Sequence, residues 1–385
     1  MSEPKTTGLI HHPYEPPAGF GAVPAGVHKA STVTFPNVAA LRARDWRSKA
    51  GYTYGLHGTP TTFLLEERLA TLDGGSETLL VPSGLAAIAL VDLALLAAGD
   101  EVLLPANVYG PSRELARHEL AQWGIHWRVY DPLDPAALAA MIGPKTRLVW
   151  IEAAGSVTME FPDIAAIAAA CRARGVTTAL DHTWGAGIAF APFDSGVDIA
   201  MQALTKYASG GADVLMGAVT TRDAALHGRL KATHMRLGLG VGANDVEFVL
   251  RSLPTLALRY AAHDAAARQL AAWWRERPET AELLHPAFEG SPGHAHWRAQ
   301  CRQAAGLFSV VFDPAIPTAR VDAFVDALRL FKIGYSWGGP VSLAVPYDLQ
   351  ALRGRSGTLV RFSVGLEAVE DLIADCARAL DAARG

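Results

Sequence analysis

The stretch Met201–Gly211, "MQALTKYASGG", sets Lys206 at the end of an apolar run and just ahead of a pair of glycines. The chain holds seven lysines against 27 arginines, so a lysine kept in this setting points to a use for its amine. Burial disfavours the ammonium form, and an amine that is neutral near physiological pH can attack an aldehyde or carry protons. The plain alternative is a strand-end lysine whose head reaches water along its apolar stem. Upstream, "TTALDHTW" ends a run of apolar and β-branched residues on Asp181. A carboxylate there can cap a helix.

It can also keep a proton on the ring nitrogen of pyridoxal phosphate, so that the ring draws electrons from the Cα of an amino acid held near Lys206. A phosphate then needs a seat. "LLVPSGLAAIAL" (Leu79–Leu90) reads as strand, small-residue turn and helix start, which aims the amides of Gly84 and Leu85 at an anion. Tyr109 in "LPANVYGPS" follows another strand end, where it is either a ring that stacks on a cofactor or a half-buried loop tyrosine. "GLGVGA" (Gly238–Ala243) has the spacing of a dinucleotide fingerprint but lacks a preceding apolar strand, which excludes nicotinamide binding there. His294 and His296 have no cysteine or carboxylate array at metal spacing, His11 and His12 lie in the N-terminal arm, and no metal is expected.

The elements that must position these residues are short apolar runs separated by helical stretches: "ETLLVPS", "DEVLLP", "RLVWIEA", "VTTALDH", "DIAMQAL" and "GAVTT". Such alternation predicts an α/β unit on a mostly parallel, doubly covered sheet, with functional groups at the strand carboxyl ends. Three segments follow. Residues 1–55 form a Pro-, Gly- and His-rich arm that orders against something else, 56–250 the large α/β domain, and 251–385 a smaller α+β domain. A helical join over Ala261–Arg275 leads into this last domain, whose sheet is expected to begin near Gly306.

At 385 residues and half hydrophobic, the chain can bury a large core. A net charge of −4 and scattered arginines exclude a nucleic-acid or membrane-surface field and leave a small molecule as the ligand. Gly84–Gly99 is too short to span a bilayer and carries Asp92, so it reads as a buried helix. Three dispersed cysteines and an N-terminus without a signal-peptide pattern point to a cytoplasmic protein with inert thiols.

From about Tyr52 onward the chain resembles the fold-type I pyridoxal-phosphate enzymes of cysteine and methionine metabolism. Within that group it is most similar to the bacterial β-lyase branch. The segments that carry the resemblance are "YGLHGTPTTFLLEERLATLDGG", "IEAAGSVTMEFPDIAAIAAACR", "LDHTWGAGIAFAPFDSGVDIAMQALTKYASGGADVLMG", "YSWGGPVSL" and "GTLVRFSVGLEAVEDLIADC".

The resemblance implies a seven-stranded, mostly parallel large-domain sheet and roles for particular residues. Lys206 becomes the Schiff-base lysine and Asp181 the ring-nitrogen partner. Tyr109 becomes the stacking ring, Gly84 and Leu85 the phosphate amides, and Thr205 and Ala203 neighbours of the cofactor. Tyr54 reaches the phosphate of a neighbouring subunit, so the arm would fold onto another copy in a homotetramer with shared sites. Arg361 pairs with the substrate α-carboxylate, and Tyr335, Ser336 and Trp337 complete that pocket. Catalysis is assigned to Lys206 with Tyr109 and Tyr54.

The implied reaction is β-elimination from cystathionine to homocysteine, pyruvate and ammonia. Rivals are γ-elimination or γ-replacement on the same scaffold, and a degenerate binding protein that has lost the chemistry. The chain departs from the pattern at Leu56, where relatives usually carry arginine, with His57 a candidate replacement as a phosphate contact. Further departures are His182, Ala203, Pro340 and Val341.

Overall fold

The computed structural model describes residues 5–350 and 357–383; the remaining residues of the expected arm and C-terminal domain lie outside it. The six apolar runs all form strands: β1 (Glu77–Val81), β2 (Glu101–Pro105), β4 (Thr146–Glu152), β5 (Thr177–Asp181), β6 (Ile199–Ala203) and β7 (Gly217–Thr221). A seventh, β3 (His126–Tyr130), completes a sheet of order β1-β7-β6-β5-β4-β2-β3. Only β7 runs against its neighbours. The mostly parallel seven-stranded sheet is therefore as expected.

Alternation along the strands feeds two cores, one on each face. Leu80, Leu103, Val149, Ile151 and Leu180 point into one; Leu79, Val81, Val102, Leu104, Leu148 and Trp150 point into the other, under the helix Gly84–Leu95. That helix starts where Ser83 Oγ accepts the Ala86 amide at 3.0 Å, an N-cap that fixes the direction of its first turn.

The smaller sheet has order β10-β11-β12-β9-β8, from β8 (Thr280–Leu284), β9 (Leu307–Phe312), β10 (Lys332–Ile333), β11 (Leu343–Asp348) and β12 (Thr358–Ser363). It begins at Thr280, not near Gly306. The sequence "TAELL" is a half-exposed edge strand paired only with β9, and its apolar signal is correspondingly thin. Trp274, Phe308, Phe312, Phe324 and Phe362 fill this domain's core. Trp274 sits on the join, the helix Leu256–Arg275. At the other end of the chain, the helix Lys5–Ile10 buries Leu9 against the chain's own Leu253–Thr255 turn and the helix Pro60–Asp73. From there to Tyr54 the arm is mostly irregular and exposes Phe20, Val23, Tyr52 and Tyr54. Among the described residues no helix is long and apolar enough to cross a membrane. The three cysteines are buried, and burial pushes the Cys171 thiol up to about 12.

Asp92 lies inside the Gly84–Leu95 helix and accepts the Trp150 indole N–H at 2.8 Å. Burial lifts its carboxyl to about 7. The folded state then keeps a proton that the unfolded chain has already lost above its ordinary value near 3.8, so stability falls as pH rises from about 4 through about 7. Asp92→Asn keeps the acceptor for Trp150 but does not ionise. Relative to that variant, the wild type should lose up to about 4 kcal/mol between pH 4 and 8. Melting curves at a series of pH values check this: parallel Tm profiles for the two proteins would reject it.

Candidate active site

Adjacent parallel strands β5 and β6 end together, with Asp181 the last residue of β5, Ala203 the last of β6 and Lys206 in the turn that follows. These residues line one cavity of about 150 Å³ with Gly84, Leu85, Tyr109, Thr205 and Trp337. Lys206 Nζ donates to Ser336 Oγ at 2.8 Å and lies 4.6 Å from the Trp337 ring centre. Ser336 has φ +116°, a backbone state that a serine adopts only when its surroundings impose it. Burial first, then the nearby Arg361 charge, lower the Lys206 amine to about 8, with Asp181 pulling the other way.

Asp181 is no helix cap. A turn follows it, and its Oδ1 accepts the Thr183 amide at 2.9 Å. Its carboxyl is raised by burial. Glu152, at the end of β4 and in register with Asp181, sits beside it and is held well above the usual carboxylate range by burial and then by the charge of Asp181. Glu152 accepts the Tyr109 amide at 2.6 Å on one oxygen and the Ser156 amide at 2.9 Å on the other. Ser156 O in turn accepts from Arg361 Nη1 at 2.9 Å. One buried carboxyl thus fixes both the backbone that carries the Tyr109 ring and the loop that steadies Arg361.

Arg361 comes from β12 of the other sheet and is buried, with its guanidinium 5.3 Å from the Trp337 ring centre and 5.5 Å from that of Tyr347. Arg361, Lys206, Tyr109, Ser336, Trp337 and the exposed Tyr335 also line a wider cleft of about 1050 Å³ that opens from the cavity. Tyr54 lies in neither; it is half exposed and packs near His57. His57 is turned into its own chain, with Nδ1 2.7 Å from Thr53 Oγ1 and its ring near Trp46. Leu56 lies beside it in a small pocket with Gly240 and Lys231. The loop Gly238–Ala243 joins two helices and forms no strand–turn–helix unit. His294 bonds Pro286 O, and His296 lies 3.7 Å from Asp163.

Sequence reasoning passed over Glu152, Ser156 and Tyr347. Glu152 carried the same signal as Asp181, a carboxylate ending an apolar strand in "RLVWIE".

The chain matches, over residues 6–381, the family described as Cys/Met metabolism PLP-dependent enzyme. It is 39% identical over 388 residues to the cystathionine beta-lyase of Bordetella avium, covering 97% of each chain. Identity to the L-methionine gamma-lyase of Pseudomonas putida is 33% over 388 residues, covering 98% of this chain and 97% of that one. The crystal structure of metB from Corynebacterium glutamicum resembles it with a TM-score of 0.92 at 27% identity, over 99% of this chain and 98% of that chain. The chain belongs to the Cys/Met metabolism family of PLP-dependent enzymes.

Its cavity fits pyridoxal 5'-phosphate on its own chemistry. An amine with a lowered pKa faces a buried carboxylate across a slot flanked by an aromatic ring. A helix N-terminus lines it too, where the Gly84 and Leu85 amides lie in the first turn and have no carbonyl acceptor within the helix. A Cβ on Gly84 would lie 2.7 Å from Ala203 Cβ, and one on Gly217 would strike Ser83 O, so the glycines let this seat close on the strand ends.

Two outcomes follow from this geometry. If Lys206 is the amine that bonds the cofactor, covalent uptake of pyridoxal phosphate by cofactor-free protein needs it neutral, so the rate should rise about tenfold per pH unit below 8 and level off above it. Removing a positive neighbour raises the amine's pKa, so Arg361→Ala should move that midpoint upward; a midpoint left in place, followed by visible absorbance, contradicts the assignment. Glu152→Gln leaves one of the two amides, of Tyr109 or Ser156, without its acceptor, which corresponds to about 1–3 kcal/mol. The expected result is a kcat/KM lower by about 5- to 100-fold and a weakened visible circular dichroism of the bound cofactor. An unaltered dichroism band would show that Glu152 does not hold Tyr109.

Proposed function

We propose that this enzyme is a carbon–sulfur β-lyase that converts cystathionine to homocysteine, pyruvate and ammonia. The observation that carries the reading is the pairing of a low-pKa amine, Lys206, with a buried arginine, Arg361, across one enclosed cleft. Bound pyridoxal phosphate supplies an electron sink for the charge left at Cα when its proton departs. Asp181 holds the ring nitrogen, Tyr109 flanks the ring, Ala203 and Thr205 line its bed, and the Gly84 and Leu85 amides take the phosphate.

Arg361 binds the substrate α-carboxylate with its planar fork, which orients the Cα–H bond towards Lys206 Nζ. Lys206 removes that proton and delivers one to the sulfur as the Cβ–S bond breaks, a general base and then a general acid. Ser336 and Trp337 hold the amine on the substrate side between these steps. The unsaturated amine product takes up water and yields pyruvate and ammonia.

Tyr54 completes the phosphate seat of a second copy, and the protein assembles as a homotetramer with shared sites. The exposed tyrosine and the apolar side chains of the arm support that arrangement. A cytoplasmic location fits the three buried, unpaired thiols.

The identity to a γ-lyase keeps one second reading, γ-elimination by the same lysine with a different pocket. Lys206→Ala should cut turnover at least ~1000-fold while the protein stays folded. Pyruvate from cystathionine identifies β-elimination, and 2-oxobutyrate would replace that reading with the γ one.

A further inference from the structure

The cleft that opens from Lys206 is larger than one amino-acid head requires, and its volume of about 1050 Å³ lies at the upper end of ligand pockets. Its inner end holds Arg361. Its outer rim is built on the segment after Tyr109, where Arg113, Glu114, His118 and Glu119 line the opening. Most of that charge is accounted for locally. Glu114 pairs with Arg117 at 2.7 Å and lies 3.4 Å from His118 Nε2.

Arg113 differs. It donates from Nη2 to Ala106 O at 2.6 Å, which holds the guanidinium at the rim, and its Nε is buried without an acceptor. No carboxylate of the described residues forms an ion pair with it. A guanidinium has five N–H donors in a planar fork, and a fork fixed at one corner and otherwise unpaired matches a carboxylate. The two arginines lining this cleft therefore stand apart, one buried at the reacting end and one at the mouth.

We propose that Arg113 receives a distal carboxylate, so that the enzyme selects substrates with a second amino-acid head beyond the sulfur over simple S-alkyl amino acids. This rests on the carbon–sulfur lyase reading above. Tyr109, on the same segment as Arg113, lines this cleft together with Lys206 and Arg361, so a thioether substrate with its sulfur near Lys206 extends its far carboxylate to Arg113.

The test compares the holoenzyme with its Arg113→Gln and Arg113→Lys variants on cystathionine, S-ethyl-L-cysteine and L-ethionine, reading the oxo acid released. Gln keeps a donor for Ala106 O without the charge, and Lys keeps the charge without the fork. The ratio of kcat/KM for cystathionine to that for whichever S-ethyl analogue the enzyme turns over should fall at least tenfold in Arg113→Gln, mainly through KM, and recover in part in Arg113→Lys. A ratio equal to wild type in Arg113→Gln overturns the proposal, as does a loss shared equally by the substrates, which would assign Arg113 to holding Ala106. The identity of the oxo acid tests the β-elimination reading separately, since the ratio is read whichever acid appears.

Discussion

Lys206 and Arg361 share one site, and burial, then the charge of Arg361, brings the lysine amine down to about 8, within reach of losing its proton near physiological pH. The surrounding residues make that arrangement tolerable. Trp337 offers a ring face to both cations, Ser336 takes one N–H of the amine, and Ser156 O takes one N–H of the guanidinium. Asp181 and Glu152 supply the opposing carboxyls, and because they stand side by side at the ends of β5 and β4 they cannot both ionise cheaply. Burial thus raises both carboxyls while it lowers the amine, which favours the less charged form of each group.

The arrangement needs both sheets. Lys206 belongs to the large one and Arg361 to the small one, so their separation depends on how the domains dock. Hydrogen bonds close to the site fix it. Tyr207, the residue after the lysine, accepts the Gly306 amide on its phenol oxygen at 2.9 Å, just before β9 begins. Ser309 of β9 donates to Val157 O at 2.6 Å, in the loop that also holds Ser156, and Arg361 lies opposite Ser309 in the strand register. A Cβ on Gly338 would meet the Tyr207 amide at 2.8 Å, so the Ser336–Trp337 loop can only pack here because a glycine, with φ +77°, follows it.

Much of this was legible because parallel strands buried on both faces read as apolar runs, and the groups that end them stand out by contrast. Asp181 and Lys206 are legible in that way. β3 is not: "HWRVY" is an edge strand whose side chains are mostly exposed, so selection for apolar residues is weak. β8 fails for the same reason. Glu152 shows a different limit, because its value lies in two backbone amides that only the folded chain brings to it. Arg361 was reachable only through resemblance, since an arginine in a strand of alternating residues has no local mark of its depth.

His57 illustrates how tertiary context decides between neighbours. Beside Leu56, it is the polar residue nearest to the expected arginine position, yet Thr53 and Trp46 hold its ring in its own chain, and burial, then the charges of Lys231 and Arg44, lower its pKa. Leu56 is equally committed, packed where a Cβ on Gly240 would come within 3.2 Å of it. The arm segment next to Tyr54 therefore presents no cation outward from either position. A phosphate seated at the Gly84 helix would then be held by neutral amides and hydroxyls, which favour the anion through the helix dipole without neutralising it.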